Sequence, residues 1–348
     1  MIDFRYHLVS IVAVFLALAI GIVLGSTALQ GDTLDVLRSA NNSLTNHLNA
    51  ATAQLGSYGQ LVNANDQFLL TAEPKLLAGM LTGDKVVLVT EPGASSGITD
   101  SIGKAAVLAG ATVTGTVALQ PKFNDLSGAT KSTLDAINTE LATTDLVELT
   151  PAADQQTVYQ QNAAQLIAAA ILNNTEGQLG LTTPQAQALL GEYAKSGFLT
   201  TSGAPWNRAT LAVIVAPQTA PPDGASDPAD QVLLALTAQF AGASAATVLA
   251  GPSATSGASS SAVSVLRGSS VSGQVSSVDN ADTTLGQIST IWALADQQAG
   301  GKPNSYGVSG ASAVSPPVPS PVPSATPTVS STPTTKATGG VKKTVKTK

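Results

Sequence analysis

Lys85-Val86-Val87-Leu88-Val89-Thr90 runs directly into Glu91-Pro92-Gly93-Ala94-Ser95-Ser96-Gly97, and a helical pattern follows from Thr99 to Leu108. Val86 to Thr90, five β-branched or apolar residues without polar alternation, read as a strand buried on both faces. The Pro, Gly and Ser joint ends that strand and opens the helix. Outward from this unit the same alternation recurs. Thr112–Leu119 reads as a second strand, followed by helices at Ser132–Leu141, Tyr159–Leu172 and Pro184–Tyr193. Strand Thr210–Ala216, helix Ala229–Ala241, strand Ala246–Ala250, helix Ser259–Leu266, strand Gly273–Val278 and helix Thr284–Gln298 complete the series. Strands alternating with helices across short joints predict an α/β domain, Rossmann-like and mainly parallel, over residues 80–307.

The joint after the first strand is where a dinucleotide loop would lie. Its glycines are spaced Gly-x-x-x-Gly, and the second strand ends at Gln120, where a ribose-binding acid is wanted. The phosphate-loop pattern ending in Gly-Lys-Ser/Thr is also missing, so neither standard nucleotide site is expected. The chain has no Cys and two His, His7 and His47, both upstream of the domain. Thiolate chemistry, Ser-His-Asp triads and His-based zinc sites are thereby excluded from it. Paired carboxylates remain, but Trp206 and Trp292 are the only tryptophans available as a sugar platform. No enzyme activity, catalytic residue, cofactor or metal site is therefore expected. Asp279-Asn280-Ala281-Asp282 stands at the carboxyl edge, between the last strand and the last helix. Asp279, Asn280 and Asp282 are candidates for a ligand edge; turn formation and capping of the helix by Asp282 are the competing explanation.

Upstream, Leu8 to Gly31 holds no ionisable side chain. Roughly 20 apolar residues span a bilayer core of about 30 Å, so Leu8–Leu29 is expected to cross a membrane. Arg5 precedes it and Asp32 and Asp35 follow, which places residues 1–7 in the cytoplasm and the rest outside. The alternative is a cleaved signal peptide with Ser26-Thr27-Ala28 as its cleavage site. Gly21 and Gly25 form the small-residue pair that lets two spanning helices approach.

Leu34, Leu37, Asn41, Leu44, Leu48, Ala51, Leu55, Tyr58, Val62, Asn65 and Leu69 alternate in steps of three and four. That is the seam of a coiled coil, so residues 30–73 are expected to form a parallel, dimeric or higher-order stalk ending before Pro74. Asn41, Leu48 and Leu55 occupy a positions, and a buried Asn there favours two strands. The alternative is a helix packed on its own domain.

The 348 residues carry a formal charge of −6. From Gln297 onward there is no acidic residue and six Lys, so the rest holds 10 Lys and Arg against 22 Asp and Glu. An acidic body argues against nucleic acid. Residues 308–348 are rich in Pro, Ser and Thr and end in Lys342, Lys343, Lys346 and Lys348. Such a tail is expected to be disordered, either a plain spacer or a contact for anionic envelope polymers.

Ile2-Asp3-Phe4-Arg5-Tyr6-His7-Leu8-Val9-Ser10, with Ala13 to Ala19 and Gly21-Ile22-Val23-Leu24-Gly25, resembles the actinobacterial mycobacterial copper transport protein B (MctB) family. Val278 to Thr283, Gly286-Gln287 and Tyr306-Gly307 resemble it too, so the similarity covers residues 1–310. The resemblance implies a single-pass membrane protein of the cell envelope linked with copper efflux and homeostasis. It also implies an alternative: a non-catalytic scaffold whose Phe4, Arg5, Tyr6 and His7 meet a cytoplasmic partner, or the membrane interface, in the control of cell separation. Copper is a ligand only by this resemblance, because Met1, His7, His47 and Met80 are the soft or imidazole candidates and lie far apart in sequence.

Overall fold

A computed structural model describes residues 4–142, 157–173, 181–217, 228–253 and 261–319. Met1, Ile2, Asp3, the first residues of the expected helix at Ser259 and the tail from residue 320 onward fall outside these. The described chain forms two units, residues 1–68 and 69–348.

The first unit is helical throughout its described length. It belongs to one helix, α1, Phe4–Leu77. Stalk hydroxyls bond back to their own helix, Thr45 to the Asn41 carbonyl at 2.9 Å and Thr52 to that of Leu48 at 2.8 Å. Polar residues thus stay satisfied with few charges present. Helix α1 does not stop before Pro74 as its sequence suggests, and continues to Leu77. Proline removes one helical hydrogen bond. The last turn survives because Leu77 is buried within the second unit, and Trp292 Nε1 donates to the Leu76 carbonyl at 3.2 Å.

The second unit continues with β1, Lys85–Thr90; α2, Ser96–Leu108; β2, Thr112–Leu119; and a 3-10 turn at Pro121–Asn124. Three helices follow, α3 at Gly128–Ala142, α4 at Val158–Ile171 and α5 at Thr183–Lys195. Then come β3, Leu199–Gly203; β4, Leu211–Val215; α6, Pro228–Ala243; and β5, Ala246–Ala250. The unit closes with α7, Ala262–Arg267; β6, Ser276–Val278; α8, Thr284–Gln298; and β7, Ser305–Tyr306.

The strands form one sheet in the order β3-β2-β1-β4-β5-β6-β7, with every pair parallel except β2–β3. A mostly parallel α/β domain is thus present, in the order of a Rossmann-type sheet. Alternate residues of each central strand serve opposite faces. Val87, Val89, Ala212, Ile214 and Leu249 pack under α4 to α7. Val86, Leu88, Leu211, Val213 and Val248 pack under α2, α8 and the end of α1.

Sequence patterning misses two strands and lengthens a third. Leu199–Gly203 is an edge strand with one buried residue, so it carries no apolar run to read. Ser305–Tyr306 is two residues long. The expected strand Gly273–Val278 is shorter, because Ser270–Gly273 forms a 3-10 turn and pairing begins at Ser276.

One connection departs from the usual hand. Both α2 and α8 lie on the same sheet face, yet α2 leads towards β2 and α8 leads the opposite way, to β7. The β6–α8–β7 crossover therefore has the opposite hand to β1–α2–β2. About 98% of such connections are right-handed, so this one needs specific local support.

Candidate functional site

That support comes from the segment singled out in the sequence. Asp279 follows β6 and is buried, and its carboxylate accepts from Val308 N at 2.7 Å, Ser309 N at 2.8 Å and Arg267 Nη1 at 2.7 Å. Arg267, at the end of α7, also donates to the Tyr306 carbonyl at 2.7 Å, the Ser309 carbonyl at 2.6 Å and Ser277 Oγ at 2.9 Å. The buried pair clamps β7 and the turn after it onto β6. Gly307 has φ of +127°, and a Cβ there would overlap the Asp279 carboxylate. Gly286 likewise leaves room for the Asn280 carbonyl, which a Cβ would strike. Asp279, Asn280, Gly286 and the Tyr306-Gly307 pair thus form one interlocked unit.

The carboxylates of Asp279 and Asp282 have different partners. The Asp282 carboxylate accepts from Ser253 N and Ser253 Oγ, each at 2.8 Å. Thr283, not Asp282, caps α8, accepting from Gly286 N at 3.1 Å. Asp282 turns instead to the loop after β5, which leaves the cap position to the next residue. Asn280 is buried, and its Oδ1 has no hydrogen-bond partner among the described residues.

The other end of interest lies between β1 and β4, where the strand order reverses and α/β sheets commonly hold ligands. The Gly-containing loop there is pinned. Glu91 N donates to the Val215 carbonyl at 3.0 Å, and Ala94 bridges Pro217. Glu91 is only 4% exposed, and burial pushes its carboxyl up from 4.5 to about 7, against a lowering hydrogen bond from the Asn124 side chain. Asn124 is positioned by the next residue. Asp125 accepts from Thr130 Oγ1 at 2.6 Å and Ser127 N at 2.9 Å, which holds its carboxyl below the usual range. Glu91 escaped the sequence reading because a single Glu in a Pro-Gly loop looks like a solvated turn residue.

In the first unit, Phe4, Arg5, Tyr6 and His7 form the exposed opening turns of α1. Phe4–Ser26 is the stretch apolar enough to cross a membrane, with mean hydropathy 2.9. Gly21 and Gly25 face open space, and Asn41 is exposed. Leu48 is 60% and Leu55 70% exposed in the single chain. Among copper-ligand candidates, Met80 is buried in the apolar core, and His47 Nδ1 is bonded to the Ser43 carbonyl at 2.7 Å. Met1 lies outside the described residues. Among the described residues no group of three or more His, Cys, Asp or Glu could hold a metal ion.

Residues 1–316 match the family model described as copper transport outer membrane protein, MctB. The chain belongs to the MctB family. Copper transporter MctB of Mycobacterium tuberculosis is 29% identical over 321 residues, covering 90% of this chain and 99% of the relative. Copper transporter MctB of Mycobacterium leprae is 29% identical over 326 residues, covering 91% and 100%. Membership in MctB agrees with the resemblance read from the two sequence blocks. It also makes the chain one of a membrane transport family, not of a known enzyme family. Both the Phe4–Ser26 helix and the Arg267–Asp279 clamp lie inside the MctB match, which ends before most of the Pro-rich tail.

Proposed function

We propose that the chain serves copper transport or homeostasis at the cell envelope, as a membrane-anchored, non-catalytic protein paired through its stalk. The observation that carries this is the extent of the family match, which takes in anchor, stalk and body together. Residues 1–7 remain in the cytoplasm, residues 8–29 form the uncleaved anchor, and the body of residues 80–307 stands outside the membrane. The stalk, residues 30–73, joins two copies in parallel; Leu37, Leu44, Leu48, Leu55, Tyr58 and Val62 at its a and d positions are exposed in one chain and need a partner. Gly21 and Gly25 allow the anchors to approach. The Lys-rich end of the chain, Lys342 to Lys348, contacts anionic envelope polymers.

Copper is cargo in this reading. Copper(II) prefers imidazole, and His47 is the imidazole that pairing of two stalks duplicates. Its Nδ1 hydrogen bond to the Ser43 carbonyl orients the ring as in many metal-binding histidines. Copper(II) titration of the full chain in detergent is expected to show binding that His47→Ala abolishes. Binding unchanged in that variant excludes the stalk site.

A second reading is favoured by the exposed Phe4, Arg5 and Tyr6 at the start of α1. It makes the protein a scaffold gripping a cytoplasmic partner in cell-separation control. A deletion strain distinguishes the two. Copper sensitivity with normal separation supports the first, and chained cells with normal copper tolerance support the second.

A further inference from the structure

Three buried oxygens lie along one connected run at the carboxyl ends of β1 and β2. Among the described residues Glu91 Oε1, Asn124 Oδ1 and Gln160 Oε1 each lack a hydrogen-bond partner. Asn124 donates to Glu91. Gln160, in the first turn of α4, donates through Nε2 to the Asp125 carbonyl, next to Asn124, at 3.5 Å. Buried polar atoms are seldom left unpaired. Three such atoms in succession, all acceptors, point to a missing donor.

The same place in the fold sharpens the chemistry. Carboxyl ends at a switch point usually receive phosphates, through glycine loops and helix N-termini. Here the loop is pinned by the Ala94–Pro217 bridge. Two buried carboxylates come to this end of the sheet instead, Glu91 after β1 and Asp230 in the first turn of α6, which follows β4. Such surroundings repel anions and favour a cation. Hard metal ions want six or more oxygens, several of them carboxylates, and the described residues hold no such group. A primary ammonium carries three N–H donors and no acceptor.

We propose that Glu91, Asn124 and Gln160 form a binding site for a primary amine at the carboxyl ends of β1 and β2, beside the switch point, with the ammonium donating to the three unpartnered oxygens. The oxygens are shielded from solvent, so entry requires local opening of the surrounding turns. Above pH 7, where Glu91 is ionised, its carboxylate supplies the charge, and the two amides fix orientation. This assignment is independent of copper handling.

Thermal unfolding of the full chain in detergent tests it, with methylammonium, ethanolamine and glycinamide as probes and tetramethylammonium and Mg²⁺ as controls. The expected result is a saturable rise in Tm with each primary amine, half-complete at a concentration on the order of millimolar for ligands this small. Tetramethylammonium, which has no N–H, is expected to give none. Glu91→Gln and Asn124→Ala each remove the rise, while Asp282→Asn, remote from the three oxygens in the sequence, retains it. An absent rise, an equal rise in Glu91→Gln, or a rise with tetramethylammonium or Mg²⁺ alone overturns the assignment and leaves water as the partner of these oxygens.

Discussion

Burial of Glu91 sets a proton equilibrium that belongs to the folded chain alone. Its carboxyl titrates at about 7 when folded and near 4.5 when unfolded. Between these values the folded state binds more protons, so its contribution to stability falls as pH rises and the full penalty is present above 7. The shift corresponds to about 3 kcal/mol. Glu91→Gln is therefore expected to raise the melting temperature at pH 8 and to leave it unchanged at pH 4, in the absence of added amine. Equal effects at both pH values contradict a desolvated carboxyl. Arg267 and Asp279 make the opposite kind of contribution. Removing either leaves a charge buried without its partner, which costs about 3–5 kcal/mol. Arg267→Met is thus expected to lower Tm by roughly 10 °C in a domain of this size. Release of the segment after α8 should show as faster amide exchange at Val308 and Ser309. Neither residue's role was legible in advance. Arg267 is a lone charge in a Ser-rich stretch, and its partners stand 10, 12 and 39–42 positions away.

The elements themselves were more transparent, for reasons their burial explains. Strands β1, β4 and β5 are buried along nearly their whole length, so the chain writes them as unbroken apolar runs. Edge strands β3 and β7 bury little and carry no such signature. Helix α1 was legible in its apolar and heptad spacing. Its continuation through Pro74 was not, because packing of Leu77 and the Trp292 hydrogen bond override a local breaker. The stalk makes a direct prediction, helped by the absence of cysteine from the chain. Leu48→Cys and Leu55→Cys, at a positions, are expected to form a disulfide-linked dimer in membranes on mild oxidation. Ala53→Cys, on the outer face of the same heptad pattern, is not. Crosslinking of equal efficiency at all three sites removes the parallel seam.

For the molecule as a whole, the topology carries two departures from the ordinary form of its sheet. The β1–β4 switch point has exchanged a phosphate loop for a pinned turn and buried carboxyls. The last crossover runs against the common hand and is held by the Arg267–Asp279 clamp. Both lie in the region shared with the MctB family, as does the apolar N-terminal helix. Composition had already removed thiolate and triad chemistry, and the structure adds no metal cluster among its described residues. The proposed role in copper handling is that of an anchored, paired protein acting at the envelope. Cellular copper content, measured by elemental analysis in a deletion strain grown in elevated copper, tests that role most directly. The account predicts several-fold accumulation, reversed by the full chain but not by residues 69–348 expressed without anchor and stalk. Copper content equal to the parent strain's would contradict it.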